Sequence, residues 1–172
     1  GGSYLLLEID NDPIEILKLQ NKITSIRNFL KSKKITFTDL KILNKSILFN
    51  INNSDIDTVS SFFTNKESEI NPYYNQYKSH QFDLTILENE FKLKFSKHGL
   101  IEVKNSSQDQ AIEIVRRRVD EVGTNEPNIL KRGNDRILVE LPGLDDPMRI
   151  KSLLGKTANL NFRFVTQNEN DT

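Results

Sequence analysis

Apolar residues in this chain fall into runs whose spacing switches between two and about three and a half. Residues 4–9 form a compact run with Leu5, Leu6 and Leu7, apolar on both faces, which predicts an interior strand. Asn11-Asp12-Pro13 reads as a cap followed by proline at the first helical position. Ile16, Leu19, Ile23, Ile26 and Leu30 follow at helical spacing. The helix is predicted to end in Lys31-Ser32-Lys33-Lys34, where positive charge suits a C-terminus. Residues 35–43 and 47–51 predict two strands joined at Asn44-Lys45. Asn53-Ser54-Asp55 is placed to cap a second helix with Ile56, Val59, Phe62 and Phe63 inward. Residues 65–79 are a polar loop carrying Tyr73, Tyr74 and Tyr77, which pack over the core edge or form a recognition surface. Residues 82–87 and 91–95 predict strands around a Glu88-Asn89 turn.

Residues 97–107 admit two readings. Leu100, Ile101 and Val103 suit a short strand, or the opening of a long helix capped by Ser96 and running to Val122. The long helix is preferred, because Ile101, Gln108, Ile112, Val115, Val119 and Val122 then share one stripe. Gly99 and Asn105-Ser106-Ser107 count against it. Gly123 ends the helix in either case, as a left-handed cap. Residues 128–132 and 136–141 predict a hairpin around Gly133-Asn134. Pro142-Gly143 supplies a tight turn. Asp146 with Pro147 opens a short helix that Gly155 ends, and Ala158, Leu160, Phe162 and Phe164 alternate along a last strand.

The predicted order is strand-helix-strand-strand-helix-strand, twice over. This implies an α+β fold of two ferredoxin-like βαββαβ units, each an antiparallel sheet with helices on one face. The expected division is 1–95 and 96–172, with the first strand also free to pair in the second unit.

Composition narrows the function classes more than the fold. The 24 basic and 24 acidic residues among 172 cancel, which argues against a chain whose main work is gripping nucleic acid or anionic lipid. There is no cysteine, so disulfides and thiolate zinc sites are excluded. No apolar run approaches the roughly 18 residues of a membrane span. Gly1-Gly2-Ser3 at the start and the polar residues after the last strand read as cut ends, so the chain is expected to be a piece of a longer protein.

Candidate chemistry is sparse. Gly155-Lys156-Thr157 resembles the end of a phosphate loop, but Ile150 stands where the first glycine belongs, and the segment follows a helix instead of opening one. His80 and His98 have no carboxylate pattern around them. Arg116, Arg117 and Arg118 point about a hundred degrees apart on a helix, within reach of Glu113, Asp120 and Glu121. Phe162-Arg163-Phe164 lacks the lead-in of an RNA-recognition strand. With no catalytic, cofactor or metal set, a mechanical or interaction role is expected, not an enzyme; a small-ligand regulatory module is the alternative.

The segment 111–165 resembles the SecD family of protein translocase subunits. The resemblance rests on Glu113-Ile114-Val115-Arg116-Arg117-Arg118-Val119-Asp120-Glu121-Val122-Gly123, then Glu126-Pro127, then 135–144 including Arg136, Pro142 and Gly143. It continues through Asp146-Pro147 and Leu154-Gly155-Lys156-Thr157-Ala158 to Leu160-Asn161-Phe162-Arg163. Gly1-Gly2 matches the end of the family's Asp-Leu-Arg-Gly-Gly signature, and the likeness is thinner between Asn11 and Ser96. It implies the base portion of the first exported domain, with 11–95 largely an insertion. It also implies a bacterial inner-membrane protein with this domain on the periplasmic side. The implied partners are SecF, the SecY-SecE-SecG channel, YajC and YidC, and an unfolded preprotein moved with help from the proton gradient. The family's proton-carrying groups lie in membrane helices and map onto no residue here.

Overall fold

The computed structural model describes residues 2–121, 127–142, 146–155 and 162–165. Along the chain run β1 (Gly2–Ile9), α1 (Asp12–Ser32), β2 (Phe37–Leu43), β3 (Ser46–Ile51), a one-turn 3-10 helix (Asn53–Asp55) and α2 (Ile56–Thr64). Two short strands follow, β4 (Tyr73–Tyr74) and β5 (Ser79–His80), then β6 (Phe82–Leu87), β7 (Glu90–Phe95) and α3 (Lys97–Glu121). The remaining elements are β8 (Asn128–Arg132), β9 (Arg136–Pro142), α4 (Pro147–Leu154) and β10 (Phe162–Val165). The chain mixes helices with antiparallel sheets, the expected α+β class.

The elements divide into two compact units, one of residues 1–12 and 103–172, the other of residues 13–102. In the first, an antiparallel sheet has the order β10-β1-β9-β8. Leu5 lies opposite Val139, and Leu7 opposite Ile137. These residues, with Ile9 and Leu141, pack against Ala111, Val115 and Val119 of α3 and Leu154 of α4. β1 is therefore a central strand, as its two apolar faces predict. It sits in the sheet of the C-terminal elements, the pairing that the sequence left open. The unit's element order is strand-helix-strand-strand-helix-strand.

The second unit has the sheet order β2-β3-β7-β6, all antiparallel. Its core holds Leu19, Ile26 and Leu30 of α1, Val59 and Phe63 of α2, and Ile47, Phe49, Phe91 and Leu93 of the central strands. The Phe49 ring lies 5.3 Å from Phe91 and 5.9 Å from Phe63. Its order is helix-strand-strand-helix followed by four strands, of which β4 and β5 form a separate two-stranded sheet; this is not the expected βαββαβ, because the strand that would lead it is β1.

Local details depart from expectation in instructive ways. Ile16 on α1 is exposed, and Glu15 is buried in its place, with its carboxylate 3.5 Å from Lys45 Nζ. The inward position expected for Ile16 is thus corrected: Glu15 turns inward and pairs with Lys45. The Asn11 side-chain oxygen is buried with no hydrogen-bond partner among the described residues; the Asp12 N–H donates instead to Asp10 Oδ1 at 3.1 Å. No side chain caps the 3-10 turn or α2, so Asn53-Ser54-Asp55 forms a lead-in turn and not a side-chain cap.

Asn44 and Lys45 both have positive φ, 49° and 60°, as a tight two-residue hairpin requires. α3 is the long helix: Ser96 Oγ accepts from the Gly99 N–H at 3.0 Å. Its buried stripe runs through Val103, Ser107, Gln108, Ala111, Val115 and Val119. Gly123 and the strand positions Ala158 and Leu160 lie outside the described residues.

Candidate functional site

Among the described residues no group of three or more metal-ligating side chains comes together. His80 and His98 are taken up in the aromatic packing of the tyrosine loop. The Tyr77 ring stacks on His98 at 4.2 Å and 2°. Tyr73 meets His80 edge-on at 4.9 Å, and Tyr74 meets Tyr77 at 6.2 Å. His80 Nε2 is 3.0 Å from the Asn65 carbonyl. Burial, and then Glu102, push the Tyr74 hydroxyl above its usual range. The tyrosines thus pack on one another and on the histidines, at the start of α3.

A second polar node sits under this loop. Asn71, 1% exposed, takes the Phe82 N–H on Oδ1 at 2.8 Å. Its Nδ2 donates to the Phe82 carbonyl at 3.0 Å and the Phe63 carbonyl at 2.8 Å. The Asn71 N–H donates to Ser68 Oγ at 3.0 Å, and that hydroxyl donates to the Phe62 carbonyl. One side chain thereby ties the end of α2 to the start of β6. Sequence reasoning placed Asn71 in a polar loop and missed it. The flanking Ile70, also buried, was the available signal. Beside it Lys22 Nζ donates to the Ile70 carbonyl at 3.0 Å and lies 5.4 Å from the Phe82 ring. Burial draws the Lys22 ammonium below its ordinary value.

In the other unit, Gln108 is 2% exposed. Its Nε2 donates to the Gly133 carbonyl at 3.2 Å and the Arg136 carbonyl at 2.8 Å. The amide therefore clamps α3 to both ends of the β8–β9 turn, where Gly133 has φ 59°. Lys131 Nζ reaches Asp109 Oδ1 at 2.6 Å.

The residues that carry the family resemblance are spread over the unit and do not converge. On α3, Arg116 is exposed and Arg118 half-buried; Arg118 lies 3.6 Å from Glu121, and Arg117 lies 3.9 Å from Glu113. Arg117 and Arg118 pair along the helix, and because successive helical positions point about a hundred degrees apart, the three guanidinium groups do not share one face. Gly2 lies opposite Pro142, and Arg136 opposite both Glu8 and Arg132. Phe162 is in register with Ile9, and Arg163 with Glu8. Pro127 is buried. Pro147 opens α4, where Asp146 Oδ1 accepts from the Met148 N–H at 3.0 Å. Gly155 ends α4 in right-handed geometry, φ −67°; a Cβ there would sit 2.8 Å from the Lys151 carbonyl oxygen. Gly1, Gly123, Glu126 and Gly143 lie outside the described residues.

For a small ligand the sheet of residues 13–102 offers a depression of about 230 Å³, lined by Leu43, Leu48, Glu90, Lys92 and Lys94 among others. That is below the roughly 300–1,000 Å³ of drug-sized sites. No helix among the described residues is long and apolar enough to cross a membrane.

Comparison with known proteins finds relatives over most of the chain. Residues 108–167 match the family described as protein translocase subunit SecDF, P1 domain, N-terminal. The chain is 33% identical over 171 residues to protein translocase subunit SecD of Rickettsia bellii, covering 99% of this chain and 31% of the relative. It is 33% identical over 178 residues to SecD of Acetobacter pasteurianus, covering 98% and 32%. Against SecD of Pseudomonas aeruginosa it is 29% identical over 170 residues, covering 97% and 26%. The chain thus spans about a third or less of the length of these relatives.

Proposed function

The chain belongs to the SecD family, and on that premise we propose that it is a periplasmic domain of the Sec protein-export machinery. In this reading it assists the movement of unfolded preproteins through the SecY-SecE-SecG channel, driven by the proton-motive force. Its partners are SecF and the channel, with YajC and YidC as further contacts. It performs no chemistry of its own and needs no cofactor. The observation that carries the reading is the match to SecD relatives over 99% of the chain, including the part inserted between β1 and α3.

The residues described above suit a rigid transmitting role. The first sheet buries both flanking helices against β1 and β9, and Gln108 locks the hairpin to α3. We assign Gly1, Gly2, Arg116, Arg118, Gly123, Glu126, Pro127, Arg136, Pro142, Gly143, Pro147, Gly155, Phe162 and Arg163 to shaping this platform. In this reading the elements after residue 96, together with β1, form the base, and residues 11–95 are largely an insertion.

The test is export by the full-length protein that carries this segment. In cells depleted of their own SecD, that protein restores processing of a pulse-labelled preprotein. The same protein lacking residues 103–165 leaves the precursor accumulating. Equal processing by both forms overturns the proposal.

A further inference from the structure

We propose that the free edge of β6, from Leu84 to Leu87, accepts an extended segment of an unfolded polypeptide as an added strand. This rests on the preprotein-handling reading above and gives it a binding site.

β6 is the outermost strand of the sheet β2-β3-β7-β6. At its first residue, Phe82, the outward N–H and carbonyl are both satisfied by the Asn71 side-chain amide. A buried side chain stands there where the backbone of a neighbouring strand would stand. Backbone groups alternate in direction along a strand. The outward pair at Phe82 therefore recurs at Leu84 and Ile86, while Asp83, Thr85 and Leu87 bond to β7. The Gln81 carbonyl accepting from Ser96 N–H, at 2.9 Å, fits the same alternation. No described residue takes up the outward groups of Leu84 or Ile86. Asn71 covers one rung of this edge and leaves the next two open.

Two of the other sheet edges, β2 and β8, are guarded. β2 breaks register between Thr38 and Lys41, Asp39 there has φ 55°, and Asn50 Nδ2 donates to its carboxylate at 3.2 Å. β8 carries Lys131 and Arg132. Bulges and lysines are common guards against edge pairing. β6 has unbroken register with β7 and neither proline nor lysine.

Hydrogen bonds to a bare backbone ladder recognise an extended chain largely without regard to sequence, and side chains add preference. A strand laid on β6 sets alternate side chains beside the half-buried Leu84 and Ile86. The others lie beside Thr85 and Leu87, the latter 73% exposed. The strand and its turn carry Asp83 and Glu88 and no basic residue. The fitted occupant is a short apolar stretch of about four residues (roughly 13 Å) flanked by lysine or arginine. Self-pairing of two copies would bring four carboxylates to one ladder, which disfavours it.

The experiment uses the full-length protein in membranes with a preprotein stalled in transit. A photo-crosslinking amino acid is placed at Thr85, Leu87 or, on the guarded edge, Lys41. Crosslinks to the stalled chain are expected at 85 and 87, at least about fivefold over 41. Ile86→Pro removes an outward N–H and leaves the β7 ladder intact, as proline on an edge permits; it should abolish them. Should Ile86→Pro lower the Tm, Thr85→Lys supplies a guarding charge on an exposed position, and crosslinking from Leu87 should fall at least about fivefold. Equal labelling at 41 and 85, labelling of a second copy or another subunit in place of the stalled chain, or crosslinks indifferent to both variants overturns the inference. Normal export by the same protein in those cases leaves the translocase reading standing. Absence of any export role overturns that reading instead.

Discussion

Gly99, in the first turn of α3, lies against the carbonyl oxygen of Gln81, so close that a Cβ on Gly99 would overlap it. Its own N–H is held by Ser96 Oγ, which also donates to the His80 carbonyl at 2.5 Å. Replacing an exposed helical glycine with alanine ordinarily stabilises by about 1 kcal/mol. Here the sign reverses. Gly99→Ala should destabilise by about 2 kcal/mol, the range for overpacking, with backbone and not a flexible side chain having to move. Urea titration followed by tyrosine fluorescence measures it; a gain in stability would refute the packing account.

Asn71 satisfies three backbone groups of Phe63 and Phe82 with one amide. Asn71→Leu keeps the volume and leaves all three unpaired. At roughly 1–3 kcal/mol for each buried group left without a partner, the expected loss is about 3 kcal/mol or more. Amide exchange should rise first at Phe82. A loss below about 1 kcal/mol would mean that water replaces the amide without difficulty.

Lys22 makes stability depend on alkaline pH. Burial lowers its value from the ordinary 10.5, so the folded state gives up the proton before the unfolded state does. Across the window between the lowered value and 10.5 the unfolded chain binds more protons, and stability rises with pH. Tyr74 acts oppositely. Its raised value means the unfolded state ionises first, so stability falls as pH passes 10.0. Lys22→Met should remove the rise, and Tyr74→Phe should remove its share of the fall. Melting temperatures from pH 8 upward (roughly the range below the lysine value) distinguish them.

Gln108 donates to two carbonyls and is buried. Gln108→Glu turns half of the amide into an acceptor facing acceptors. At neutral pH it should cost more than Gln108→Leu, which loses roughly 1–3 kcal/mol for the stranded carbonyls. Acidification through the carboxyl range should recover part of the loss in Gln108→Glu alone, because the protonated form can donate again. Identical pH profiles for the two variants would show that the clamp is packing and not hydrogen bonding.

Local order was legible in the sequence because periodicity, caps and turns act within a few residues. Ser96 starting a long α3, the Asn44-Lys45 and Glu88-Asn89 turns, the central character of β1 and the pairing of Arg117 and Arg118 along α3 all follow from neighbours in sequence. The same local punctuation carried the likeness to SecD. Only the tertiary structure decided which sheet receives β1, because pairing a strand with β9 and β10 is a non-local choice that its own apolar pattern does not encode. It also decided that Glu15, not Ile16, faces inward, since the partner Lys45 sits in a turn of another element. The roles of Asn71 and Gly99 belong to the same class. An amide in a polar loop and a glycine weakening a helix gain their meaning from the backbones of Phe82 and Gln81, which folding alone brings within reach.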